Sequence, residues 1–308
     1  MRLAAQDTTK AYVRDTVTAG IYITSIHDID FKQKEYAIDL WLWLRYKNKA
    51  LDFVQNMEVP QAKTVVKSFS TIDSSNGEIY LLMKLQCVMK DSWKIDNFPF
   101  DNQKLRFSIE NSQFETKAMV FKIDTSGKHF DPRFALNGWN INKLEVSTAV
   151  KVYETAFGDK TYIKPHTEYS SFKVTMEIGR HAFGLFWKMF LGMYVAFFIS
   201  FMCFFIHIDN TDSRFSLSVG SLFAAIGNKY IIDASLPETV SFTLVDTLHC
   251  MTLVFILAII ISNVYSLQLK KSNKLESAIR FDGMTARALL FLYVILNALF
   301  IGMAMKAA

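Results

Sequence analysis

The sequence predicts an extracellular β-sandwich of about ten strands followed by an all-α bundle of four transmembrane helices. Hydrophobic residues make up 51% of the 308-residue chain and the mean hydropathy is +0.17, high for a soluble protein. They are also unevenly placed: before about residue 180 they alternate with charged residues, and after it they run together. Two different solvents are implied, with a division into 1–180 and 181–308.

In the first part, short β-branched and aromatic runs recur between turn signals such as "SSNGE", "DTSGK" and "FGDK". The runs are "AYVRDTVTAGIYITSIHDID", "YAIDLWLWLRYK", "KTVVKSFSTI", "EIYLLMKLQCVMK", "QKLRFSIE", "KAMVFKID", "WNINKLEVSTAVKVYE" and "YSSFKVTMEI". Each reads as a strand, and none as a helix. In the second part, apolar runs at 185–208, 215–232, 242–269 and 286–305 are the candidate spans, each to be measured against a hydrocarbon core of about 30 Å. The segment "KKSNKLESAIR" between the last two is basic, whereas "DASLPETVS" between the second and third carries two acids and no Lys or Arg. By the positive-inside rule the sandwich lies outside, in the periplasm or extracellular space, on a multi-pass protein of the inner (plasma) membrane. The first residues, "MRLAAQDTTK", lack the apolar core of a secretory signal, so a mature or engineered start is expected.

Composition excludes several function classes. Net charge is +5, but Lys and Arg are spread along the chain, which argues against a nucleic-acid partner. Cys87, Cys203 and Cys250 are too scattered for a disulfide framework and read as buried small hydrophobes. No Ser-His-Asp arrangement, zinc-ligand spacing or phosphate-binding glycine loop occurs. The expectation is therefore no enzyme, no cofactor and no metal.

The second span has the wrong composition for a helix facing lipid. At about 100° per residue, Ser216, Gly220, Phe223, Gly227 and Tyr230 fall on one narrow stripe. Such a stripe either packs against a neighbour or lines water. Asp209, Asp212 and Arg214 at its inner end and Asp233 at its outer end favour a pore, since acid rings attract cations. One helix cannot enclose a pore, so this reading requires an oligomer. Phe223 and Tyr230, the only bulky members, would form its apolar constriction.

With these elements in order, the chain resembles the prokaryotic pentameric ligand-gated ion channels of the Cys-loop receptor superfamily. The most specific element is "DSWKIDNFPFDNQKL", residues 91–105. In the family two cysteines enclose an aromatic-Pro-aromatic-Asp core; here Asp91 and Leu105 stand at the cysteine positions, around Phe98, Pro99, Phe100 and Asp101. "SRFSLSV" and "LPET" look like the family's pore helix and following loop. The resemblance implies a homopentamer in a lipid bilayer, a ligand-binding sandwich that gates it, and a pore lined by the second helix. It also implies that Asp101 meets Arg180, together with Asp28 or Asp30 from the loop joining the first two strands. Asp212, Ser213 and Arg214 stand where anion-selective members carry Pro-Ala-Arg, which implies permeant monovalent cations with Asp212 as the selectivity ring. Two departures are the bulky Phe223 at the central gate and the absence of a proline from the first span.

The resemblance places an agonist under the hairpin "AFGDKTYIKPHTEY" (156–169), with Tyr153, Tyr162 and Tyr169 as box members and Trp41, Trp43 and Trp139 facing them from other strands. An aromatic cage suits a small amine, although strand aromatics more often serve packing. His27 offers a proton sensor, and Asp28, Asp30 and Glu35 offer oxygen ligands for a divalent ion. The agonist therefore stays open among proton, divalent ion and small amine. The competing reading is a membrane-anchored β-sandwich sensor, or an accessory subunit, without a conducting pore.

Overall fold

The computed structural model describes residues 14–126, 129–131, 133, 135–158, 160 and 166–307. Nine strands lie among them, in two facing sheets. The five-stranded sheet has the order β4 (Ala62–Asp73), β5 (Ile79–Lys90), β2 (Glu35–Tyr46), β1 (Asp15–Asp30), β7 (Met119–Ile123). The four-stranded sheet has the order β3 (Met57–Glu58), β6 (Asn102–Asn111), β9 (Thr167–Arg180), β8 (Trp139–Tyr153). The β1–β7 pair is parallel and the other pairs are antiparallel.

The alternation of the sequence sets which face is buried. Along β2, Tyr36, Ile38, Leu40, Leu42, Leu44 and Tyr46 turn inward, while Trp41, Trp43 and Arg45 point away from the core. Leu81, Met83 and Leu85 of β5 join them, and Phe107, Ile109, Phe172 and Val174 close the core from the other sheet. One helical turn, α1 (Phe53–Asn56), interrupts the all-β pattern, because the Asp52 carboxylate accepts a hydrogen bond from the Gln55 amide at its start. Strand β4 differs from the rest: Val66, Phe69 and Ile72 are exposed along this edge strand.

Beyond Arg180 the chain forms α2 (Ala182–Phe201), α3 (Thr211–Asp233), α4 (Leu244–Lys271) and α5 (Leu275–Ala307). All four are long and apolar enough to cross a membrane. The chain is a multi-pass membrane protein. Without a proline, α2 runs unbroken and then tightens into a short 3-10 turn at Met202–Phe205. At the start of α4, Thr243 and Asp246 form a reciprocal capping box, and Lys270 and Lys271 end it. Helix α5 begins eleven residues before its apolar run at 286, and is 33 residues long. Gly192 of α2 makes room for a side chain of α3: a Cβ there would lie 2.3 Å from Asn228 Oδ1. Cys87 and Cys203 are buried, but Cys250 is exposed on α4, against the expectation for all three. The hydrophobic core is continuous from the sandwich, through Ile95 and Phe98, to Phe186, Phe190 and Leu248 of the helices.

Candidate functional site

Three places on the structure collect the residues singled out by sequence. The first is the boundary between sandwich and helices. The loop between β5 and β6 ends in Asp101, 5% exposed, whose carboxylate accepts hydrogen bonds from Arg180 Nε (2.8 Å) and Nη2 (3.3 Å) and from Gln103 Nε2 (2.6 Å). The Arg180 guanidinium is enclosed by rings: Trp139 at 4.0 Å, Phe31 at 4.6 Å and Phe98 at 4.8 Å from its carbon. Charge, planar hydrogen bonding and ring faces all favour arginine here.

The same loop touches the membrane helices. Phe100 packs on Phe186 of α2 with ring centroids 5.5 Å apart. The Leu244 amide, at the start of α4, donates to Asp96 O at 2.8 Å. From the neighbouring β1–β2 turn, Lys32 Nζ donates to Ala234 O just past α3 at 3.2 Å. Three helices are thus in direct contact with the base of the sandwich. Pro99 follows a cis peptide bond in this loop.

Asp28 and Asp30 do not reach Arg180. A register shift between His27 and Asp30 and a positive φ of 51° at Asp28 turn that carboxylate to solvent, where it pairs with His27 at 2.8 Å. Asp30 instead accepts from the Gln33 amide within its own turn. Phe31 takes the place expected of an acid. Nor do Asp28, Asp30 and Glu35 assemble a divalent site: Glu35 lies between Lys63 (3.0 Å) and Lys90 (2.9 Å), and hydrogen bonds from Lys90 and Lys63 hold its carboxyl below the usual range.

The second place is α3. Its own bundle leaves Ser216, Gly220, Phe223, Gly227 and Tyr230 uncovered, with Phe223 68% and Tyr230 72% exposed. The opposite face, with Arg214, Ser218, Ser221, Ala225 and Ile232, is buried. Asp212 is exposed in the first turn and has no ion-pair partner among the described residues. Arg214 is not a mouth charge as the sequence suggested: it is 5% exposed and paired with Asp282 of α5 at 2.9 Å. Asp212 and Arg214 are two positions apart, about 200° around a helix, so one charge faces out when the other faces in. At the other end Lys229 lies within 2.8 Å of Asp233 and 2.7 Å of Asp246, and Asp209 is paired with Lys270.

The third place is the β8–β9 hairpin. Tyr153 and Tyr169 stand with ring centroids 5.8 Å apart, and Phe157 lies 5.5 Å from Tyr153 and 6.4 Å from Tyr169. With Glu58, Glu110, Asn111 and Ser112 they line a cavity of about 340 Å³. Tyr153 donates to Glu110 Oε2 at 2.9 Å, and burial pushes the Glu110 carboxyl above its ordinary range. Tyr162 lies outside the described residues. The three tryptophans are elsewhere: Trp41 packs edge-on against Phe69, Trp43 donates to Asp124 at 2.9 Å, and Trp139 belongs to the Arg180 cage. Trp43 lies flat over Gly20, where a Cβ would come within 2.2 Å of the indole.

Over 246 residues the chain is 23% identical to the "Proton-gated ion channel" of Gloeobacter violaceus, a match covering 73% of this chain and 65% of that protein. The chain is thus similar to a prokaryotic ion channel over most of its length. No protein-family model matches it. The match spans less than two thirds of that relative's length.

The 91–105 loop is closed at its base by the buried Asp91 carboxylate, which meets Arg106 Nη2 at 3.3 Å. Gln103 clamps the loop further, donating to Lys94 O at 2.7 Å and accepting from the Lys94 amide at 3.1 Å. Sequence reading missed Glu58, Glu110 and Phe157 in the hairpin cavity. The available signal was Glu110 itself, an acid at the end of an inward-alternating strand whose last three residues, Ile109, Glu110 and Asn111, are all buried.

Proposed function

We propose that the chain is one subunit of a homopentameric, ligand-gated, cation-selective channel of the inner membrane. In this reading residues 1–180 form a periplasmic sandwich, 181–308 form the membrane domain, and α3 lines the pore. The observation that carries it is the polar, small-residue face of α3, left uncovered by its own bundle. A lipid-facing helix has no use for that face, whereas five copies around an axis would share it as a lumen. Exposed Val66, Phe69 and Ile72 on edge strand β4 also call for cover by a neighbouring subunit. No chemical transformation is involved. The test is particle stoichiometry in detergent combined with current from reconstituted protein: five copies that conduct support the reading, and a non-conducting monomer favours the sensor or accessory alternative.

For the agonist, the hairpin cavity fits a small organic cation, since three rings and two carboxylates converge there. Its acid fixes a pH dependence. Burial raises the pKa of Glu110, and a cationic guest binds its ionised form, so affinity is full above that raised pKa and falls as pH drops through it. The loss therefore begins at less acid pH than an exposed glutamate gives. Tetramethylammonium titrations at several pH values should show this fall, and Glu110→Gln should flatten it. The name of the relative favours a second reading, in which protons themselves are the agonist. Opening on acidification alone, with no response to tetramethylammonium at neutral pH, would select it.

Phe223 is assigned to the closed constriction. A ring of phenylalanines between Gly220 and Gly227 makes an apolar neck that expels water, and serine there keeps it wet. Phe223→Ser is expected to raise leak current or shift activation to lower stimulus, read by bilayer recording beside pentamer yield on the same protein. Loss of assembly without any increase in open probability would place Phe223 in helix packing instead.

A further inference from the structure

Six buried side-chain polar atoms have no hydrogen-bond partner among the described residues, and five belong to residues of the helical bundle: Ser200, Arg214, Asn263, Ser266 and Asp282. All five residues are at least nine-tenths buried. Arg214, Asn263 and Asp282 belong to one chain of short contacts that runs through Cys203 and Ser218. Arg214 Nη1 lies 2.9 Å from Asp282 Oδ2 on α5. Ser218 Oγ is 3.1 Å from Cys203 Sγ, at the end of the first span, and 3.4 Å from Asn263 Nδ2 on α4. Cys203 Sγ also lies 3.1 Å from Arg214 O. Ser200 and Ser266 sit one helical turn from Cys203 and Asn263, on the same faces. Arg214 further donates twice to Ile206 O, at 3.0 and 2.7 Å, in the α2–α3 connection.

Within a bilayer a buried polar atom without a partner is costly, and side chains alone leave Asn263 Oδ1, Ser266 Oγ and Asp282 Oδ1 unmet. The unpartnered atoms include both donors and acceptors, and charge among them is balanced by the Arg214–Asp282 pair. A bound ion of either sign would upset that balance. Water supplies both donors and acceptors and is what buried, polar, neutral sites commonly hold.

We infer that the inner end of each protomer's bundle is a buried water-binding site centred on Arg214 and Asp282. Through it α5 fixes the first turn of α3, so Arg214 is a positioning residue for Asp212 rather than a charge of the pore. The second statement rests on the reading of α3 as the pore helix; the first does not.

The experiment has two arms on the reconstituted full chain. Hydroxyl-radical footprinting with mass spectrometry reads internal water, because radicals formed from bound water oxidise the nearest side chain. Cys203 is expected to be labelled strongly in the parent protein and to lose most of that labelling in the R214L/D282L double variant, whose apolar pair removes the charged centre of the site. Equal labelling of Cys203 in both overturns the water site. Reversal potentials in asymmetric salt then compare Asp282→Asn with Asp212→Ala. Asp282→Asn keeps the size of the side chain and is expected to lose cation preference as Asp212→Ala does, with agonist sensitivity retained. Preserved selectivity in Asp282→Asn beside lost selectivity in Asp212→Ala overturns the positioning role while the pore reading stands. If Asp212→Ala leaves selectivity unchanged, the selectivity role of Asp212 fails and the positioning role of Arg214 with it, while the footprinting arm still decides the water site.

Discussion

Arg180→Ala is expected to yield subunits that assemble poorly or, where they assemble, fail to open. Asp101 is 5% exposed and would keep Gln103 as a single neutral donor in place of a bidentate guanidinium. Removing one partner of a buried pair typically costs about 3 to 5 kcal/mol, because the remaining charge stays out of water. The faces of Phe31, Phe98 and Trp139 lose their cation as well. The strain falls on the loop that touches α2 through Phe100 and α4 through Asp96, so it reaches the membrane helices directly. Arg180→Lys should be intermediate, since it keeps the charge and loses the planar fork. Reversal of both charges should restore little, because an aspartate at 180 gains nothing from three ring faces. Surface-expressed Arg180→Ala channels that open with unaltered agonist sensitivity would remove the coupling role from this pair.

Asp212→Ala is expected to reduce or abolish preference for cations over anions. In the proposed pentamer five carboxylates around one mouth would act on an ion in a narrow, weakly screened space, and no basic side chain lies within ion-pairing distance of Asp212 among the described residues. The nearby Arg214 cannot substitute as an opposing charge at the surface, since its guanidinium is committed to Asp282 and Ile206. The shift in reversal potential under asymmetric salt measures the effect, and salt should weaken it. An unchanged reversal potential would reduce Asp212 to a residue that merely suits a helix N-terminus.

The architecture was legible because its signals are periodic. Alternation in β2 and unbroken apolar runs in α2, α4 and α5 each report the local solvent, and that is what decides strand from span. Alternation also says which face of a strand a residue occupies, but not what covers that face. Trp139 was therefore assigned to the hairpin, whereas the β8–β9 register pairs it with Arg180 at the opposite end of the strand from Tyr153. Asp28 and Asp30 failed for a similar reason: a one-residue irregularity in β1 redirects side chains, and nothing in the composition of "IHDID" announces it. Arg214 illustrates the limit in membranes. A charge in a span must face protein or water, and only packing distinguishes those two. The acids of the hairpin cavity were hidden because Glu58 and Glu110 come from strands that meet only after folding.

The pairing of Asp91 with Arg106 has a consequence for how the protein is made. Loop closure by charge and by the Gln103 clamp requires no oxidant. With no cysteine at either end of that loop and Cys87, the one thiol before residue 181, buried, closure of this loop does not depend on the thiol poise of its compartment. The loop that communicates with the membrane can thus be completed in reducing and oxidising surroundings alike.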